Sequence, residues 1–272
     1  MRVPAVSVRG TDVSGAPGSQ YVGAAEAVAS ERLAQGDNDV SVETSTAGPT
    51  STAAVPDTTD MRLVHRVFRR EFRMFPTLVR SVPSTHTLRA EQLAVHFSDM
   101  ADALHHHHGS EDDLVWPKLM ERARPEAELI SRMQEQHHRV ADLLSEANGL
   151  LGSWRATAHQ SVAARLAEVT EQLSGALDEH LAEEESQVLP LIERHMSVAE
   201  WHQVGERGFA ETPKDRLLFF LGALFEETTP AEQAGFLGQL PWVGRLAFRL
   251  VGRRRYQREI ANIRGAVGCP TT

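Results

Sequence analysis

His65, His107 and Glu111 return as His138, His180 and Glu184, each displaced by 73 residues. In both copies 42 residues separate the two histidines, and the carboxylate follows the second by four. Neighbouring residues share the displacement: His65-Arg66-Val67 returns as His138-Arg139-Val140, and Val115 and Pro117 return as Val188 and Pro190. An internal repeat constrains architecture before any single motif does. The repeated positions here are mostly ones that can bind a metal, whereas a repeat kept only for packing would retain apolar identities first. Residues four apart share one face of a helix, so each copy presents an imidazole beside a carboxylate. That donor pair suits iron, manganese or zinc. Four imidazoles and two carboxylates are too many for one ion. They match two ions with bridging carboxylates, held between inward faces of a four-helix bundle.

The remaining histidines are weighed against that frame. His105 to His108 are consecutive, and successive helical residues point about 100° apart. His107 is selected by the 42-residue spacing and by the carboxylate one turn on. His108 and Asp112 are also one turn apart and form the rival frame, and His137 adjoins His138, where the His-Arg-Val identity selects His138. His86 and His159 fall near helix starts and are expected to be exposed. His96 is expected to be a hydrogen-bonded core histidine. Glu183 and Glu185 are read as a solvated acidic face, with Glu183 able to reach the site as an outer acceptor.

Apolar periodicity places four long helices. The first is expected over 61–82, with Leu63, Val64, Val67, Phe68, Phe72 and Phe75 inward and a kink or break at Pro76. The second starts near Ser84 and carries Leu88, Leu93, Phe97, Met100 and Leu104 toward His107. The third runs over about 125–151 and ends at Gly152. The fourth runs over about 157–195. Pro117 and Pro190, each six residues past its glutamate, predict a kink or restart just beyond the site. Residues 1–60 contain one Leu, Leu33, and no Ile, Phe or Trp. They cannot bury enough apolar area to offset ordering entropy and read as a disordered leader. Periodicity begins at Met61, which would itself serve as a start. The chain therefore reads as all-α, a four-helix bundle over 61–200 with a helical appendage over 201–272. Within the appendage, residues 217–225 are apolar all round and expected to be buried against the bundle. Residues 242–264 form an amphipathic helix with seven Arg and one acid, Glu259. Its stripe of Trp242, Val243, Leu246, Leu250 and Val251 is expected to dock on the bundle, with contact to a protein or a membrane surface as the other use.

Composition narrows the class. The 272 residues suffice for one sizeable core with appendages. A single Cys, Cys269, provides neither a disulfide framework nor a thiolate metal site, and points to a reducing cytoplasm. A net charge of −9 argues against a nucleic-acid partner. No run reaches the roughly 18 apolar residues of a membrane span, and the N-terminus lacks an apolar signal core.

His65, His107-His108-Gly109-Ser110-Glu111 and His180-Leu181-Ala182-Glu183-Glu184 resemble the hemerythrin family, in its bacterial His-His-Glu cation-binding branch. The resemblance spans roughly residues 60–200. It implies an antiparallel four-helix bundle with a non-haem, oxo- or hydroxo-bridged centre of two Fe ions, with His65, His107, His138 and His180 as terminal ligands and Glu111 and Glu184 bridging or chelating. The oxygen carriers of that family have two His one turn apart on the third helix, where Gln134 precedes His138 here. They also have an Asp bridge five residues past the fourth-helix His, where Glu185 stands here. The resemblance thus implies a four-His, two-carboxylate site that binds or senses oxygen, nitric oxide, peroxide or iron. The alternative it carries is an oxidoreductase with catalase-like peroxide disproportionation.

Overall fold

The computed structural model describes residues 54–239 and 242–265. The leader reading falls, up to residue 53, outside the described residues, as does Cys269. The described residues are helical, with no strand among them. Four long helices dominate: α1 (Thr59–Arg80), α2 (Thr87–Leu114), α4 (Ala127–Thr157) and α5 (Gln160–Glu183). Short α3 (Trp116–Arg122) lies between the second and third, and α6 (Leu189–His195) follows the fourth. α1 packs on α5 and α2, and α4 packs on α5 and α2, so the four share one interior.

The first helix begins ahead of Met61. The Thr58 hydroxyl, buried, donates to Glu193 at 2.8 Å, and the Trp201 indole donates to the Asp57 carbonyl at 3.0 Å. α1 then runs through Pro76 to Arg80. Pro76 removes one backbone bond, yet Phe72, Phe75, Leu78 and Val79 around it are all buried, and their packing carries the helix across the gap. Likewise α4 continues through Gly152 to Thr157, because Leu151 and Trp154 beyond the expected end are buried. It stops at Ala158, which takes a left-handed conformation with φ 48. Leu88, read as inward, is 76% exposed.

The two prolines interrupt their helices as the sequence predicts. Pro117 has no N–H to offer the preceding turn; α2 ends at Leu114 and α3 restarts at Trp116. On the other side the helix widens into a π turn over Glu184–Val188 before α6 restarts at Leu189. π turns inside α-helices recur at functional sites.

Two apolar clusters flank these interruptions. One joins Phe72, Phe75, Leu93, Phe97, Leu173 and Leu177 along the long helices. The other joins Trp116, Leu119, Ile130, Met133, Val188 and Ile192 at the far end. The repeated histidines and glutamates other than His138 lie between them.

The C-terminal part comprises α7 (Val198–Glu211), α8 (Leu217–Glu226), α9 (Pro230–Gln239), α10 (Trp242–Ala247) and α11 (Arg253–Arg264). Ser197 and Glu200 form a capping box that starts α7. α7 packs on α2, α8 on α1, and α11 on α8 and α2. Gly222 lets α8 approach α11, since a Cβ there would collide with the Tyr256 ring. Of the stripe expected to dock, Trp242, Leu246, Leu250 and Val251 face outward instead, Trp242 being 68% and Leu250 65% exposed. Phe248, Tyr256, Ile260 and Ile263 are buried in its place. A π turn over Phe248–Gly252 inserts one residue into the helical period and rotates the inward face away from the 3.6-residue register. Among the described residues, no helix is long and apolar enough to cross a membrane.

Candidate metal centre

Five of the six residues singled out by the repeat meet inside the four long helices: His65 from α1, His107 and Glu111 from α2, His180 at the end of α5, and Glu184 at the start of the π turn. The structure does not bring His138 to them. His138 is exposed, in a shallow groove on α4 and α5 lined also by Arg139 and Gln172. His137 takes the inward place. The buried residues of α4 follow Ile130, Met133, His137, Val140, Leu144, Ala147, Leu151, a three-and-four spacing that includes 137 and excludes 138. That apolar spacing was the available signal, and the His-Arg-Val identity overrode it. His108, set aside in the sequence as the rival frame, is also buried in the cluster and stacks on His137 with ring centroids 4.0 Å apart.

The donors fall into two groups that share Glu111. His108, Glu111, His137 and His180 form one; His65, His107, Glu111 and Glu184 form the other. In each, one ligand atom per residue lies within 4.8 Å of all the rest. Glu111 reaches both ways: Oε1 is 3.3 Å from His107 Nε2, and Oε2 is 3.3 Å from His137 Nε2. Glu184 Oε2 is 3.4 Å from His65 Nε2 and 3.6 Å from His180 Nε2. Two ligands bound at about 2.1 Å to one ion at a right angle lie about 3 Å apart, so these separations fit shared coordination.

Burial makes the arrangement costly without a cation. The Nε2 atoms of His65, His107, His108, His137 and His180, and both oxygens of Glu111 and Glu184, are buried with no hydrogen-bond partner. Each such atom forfeits its hydration. Burial and the facing carboxylate of Glu111 push Glu184 up to about 8, and burial pushes Glu111 up as well. Burial and the neighbouring imidazoles hold His107, His108 and His180 well below the usual histidine range. Burial also opposes charge on His137, but the hydrogen bond to Asp112 and the charge of the facing Glu111 carboxylate outweigh it and raise the ring to about 9. The donor set fits metal ions, which would satisfy the inward lone pairs and neutralise the two carboxylates together.

An outer layer aims the rings. The Nδ1–H of His65 donates to Glu185 at 3.0 Å, and that of His137 donates to Asp112 at 2.8 Å. Because a carboxylate only accepts, these bonds leave Nε2 as the inward lone pair. Arg69 donates to Glu185 at 2.6 Å, and the Trp116 indole to Asp112 at 2.9 Å. His180 Nδ1 is 3.1 Å from Gln136 Oε1, and Gln136 in turn donates to Glu183 at 2.8 Å. Glu185 is therefore a ring acceptor rather than solvated surface, Asp112 serves His137 from an exposed position, and Glu183 acts one step further out. His86 and His159 are exposed at the starts of α2 and α5, as expected. His96 is buried and bonded through Nε2 to Glu71 at 3.0 Å, again as expected.

The family model for the Hemerythrin HHE cation binding domain matches residues 57–197. The chain belongs to that family. The matched span begins at Asp57, whose carbonyl Trp201 holds, and takes in every member of the buried His/Glu cluster. The hemerythrin-family span thus contains the whole of the buried cluster. No curated protein and no solved structure matches the chain.

Proposed function

We propose that this hemerythrin-family protein holds two iron ions in an antiparallel four-helix bundle and uses them to bind or sense oxygen, nitric oxide or peroxide. The observation that carries the reading is the set of nine buried, unpartnered donor atoms, five imidazole nitrogens and four carboxylate oxygens, converging from four helices. His108, His137 and His180 would hold one ion, His65 and His107 the other, with Glu111 shared and Glu184 beside it. Bound iron would supply reversible redox chemistry and a place for a small ligand. Everything else is the work of the chain. Asp112, Glu185 and Gln136 fix the imidazoles in one tautomer and orientation. The two apolar clusters on either side exclude water, which strengthens every electrostatic interaction within. The imidazole-rich donor set favours reversible binding over the carboxylate-rich sites associated with oxygen activation.

Elemental analysis of the purified protein, with absorption spectra before and after oxygen, nitric oxide and peroxide, tests the reading. About two irons per chain and a spectrum that responds to one of these ligands are expected. One ion per chain, or zinc alone, overturns it. Fast, sustained peroxide disproportionation would move the assignment to a catalase-like oxidoreductase.

A further inference from the structure

His107 differs from the other inward residues. Its side chain keeps 11% exposure, while those of His65, His180 and Glu184 keep none. The exposure faces a cavity of about 340 Å³ that His107 lines. Its inner wall comes from α1 and α2, and its outer wall from α7, α8 and α9. The volume lies in the range of small-molecule sites, far beyond the need of a diatomic gas.

Three features give the cavity a character. Phe68, Phe209, Phe220 and Phe236 line it, drawn from four different helices. It is also kept open. Gly205 and Gly208 lie three apart within α7, both line the cavity, and a Cβ at either would meet nothing within 4 Å. Glycine inside a helix costs about 1 kcal/mol relative to alanine, so α7 bears that cost at two positions where side chains would fill space. Finally, its charge is one-sided. Asp60, Asp99 and Asp102 face it, against Arg216 as the guanidinium. Arg216 is already engaged by Asp99 at 2.8 Å and Glu259 at 2.5 Å. His106 at the wall is drawn to Glu211, 3.5 Å away. An anionic ligand would meet net repulsion from the three aspartates, and the lining guanidinium of Arg216 already carries two carboxylates.

We propose that this cavity is a binding site for an uncharged, mainly hydrocarbon organic molecule, which the C-terminal helices hold against the His107 side of the centre. Binding rests on the cavity alone; proximity to iron rests on the di-metal reading above.

The test titrates the iron-loaded full chain with N-phenyl-1-naphthylamine, a neutral apolar fluorophore. Saturable enhancement at one site per chain is expected, with displacement at least tenfold better by dodecanol than by dodecanoate. Gly208→Phe and Ala103→Phe fill the cavity from opposite walls. Each should weaken binding at least tenfold with iron content unchanged, and either one, if folded, suffices. Absent or non-saturable binding, or wild-type affinity in a folded variant, overturns the proposal. Equal displacement by dodecanoate overturns its charge selectivity. Iron content measured in the same samples separates the two readings: iron without probe binding sinks the cavity, and probe binding without iron sinks the metal centre.

Discussion

Met61, His65, Phe68, Phe72, Phe75 and Val79 of α1 correspond to Met133, His137, Val140, Leu144, Ala147 and Leu151 of α4, 72 positions later, and all twelve are buried. On the other helix pair the displacement is 73. Leu93, Phe97, Met100, Leu104, His107 and Glu111 of α2 correspond to Leu166, Thr170, Leu173, Leu177, His180 and Glu184. The two halves therefore repeat each other with one residue more between the helix centres of the second. Loop length is cheap to change, whereas a one-residue slip on a helix turns a side chain about 100° out of the core. Packing register, not local identity, decides which of two adjacent histidines points inward.

The halves also differ in polarity. His108 has Leu181 as its counterpart, and the buried pair Glu71 and His96 has Leu143 and Val169. The polar extras sit in the half that α7, α8 and α11 cover. Arg264 of α11 reaches Glu71 at 3.2 Å, and Phe219 of α8 packs edge-on to His96. Among the described residues the second half has no such cover, and it is apolar at these positions.

The sharpest way to break the correspondence is at the carboxylates. Glu111 belongs to both donor groups and Glu184 to one. Glu111→Ala should lose both ions and Glu184→Ala should retain a larger share. If binding at a thousandfold over Kd contributes about 4 kcal/mol per ion, loss of both lowers the melting temperature by roughly 20 °C. Metal analysis beside a thermal melt checks this. Equal loss from both variants would mean that the two carboxylates bridge alike.

Next in size is the register itself. His137→Ala should remove about one ion per chain, while His138→Ala should leave metal content and melting within error of wild type. The reverse outcome would restore the 73-residue displacement throughout and place His138 inside.

Much of this was legible beforehand. The periodic apolar residues located all four long helices, and Pro117 and Pro190 marked both interruptions, because a missing N–H acts locally whatever surrounds it. His65, His107, Glu111, His180 and Glu184 were found because two copies constrain each other. His137 was hidden by an identity that runs one residue out of step with the packing. His108 was hidden because it occurs in one copy only. The kink or break at Pro76 and the helix end at Gly152 were overridden by burial of Val79 and Trp154, a tertiary effect that local propensity does not carry. The cavity beside His107 was out of reach, since its walls run from Asp60 to Phe236 and no spacing rule connects them.

The outer carboxylates offer a smaller effect and a test of symmetry. Asp112 and Glu185 are related by the 73-residue displacement and serve His137 and His65, the pair related by 72. Asp112→Asn and Glu185→Gln should each weaken metal affinity about 10- to 100-fold without abolishing it, measured by competition with a chelator. Similar losses mean that the halves are functionally alike. A loss confined to one variant means that a single subsite governs affinity.

The smallest expected effect concerns the polar pair that the second half lacks. Burial would push the Glu71 carboxyl up, but the hydrogen bond from His96 and the charges of Arg70 and Arg264 outweigh it and bring it down to about 2. Around this group lie Arg70 on its own helix, His96 on α2, Glu226 on α8 with Glu227 just past its end, and Tyr256 and Arg264 on α11. A carboxylate depressed in the folded state contributes stability that is complete above its ordinary value of 4.5 and lost as pH falls toward 2. Glu71→Gln should therefore be less stable than wild type by about 2 kcal/mol at pH 7, read from urea midpoints. The difference should shrink as pH falls from 4.5 toward 2. A difference that stays constant over that window would mean that Glu71 contributes by shape and hydrogen bonding alone. The first half would then resemble the Leu143–Val169 position more closely than its charges suggest.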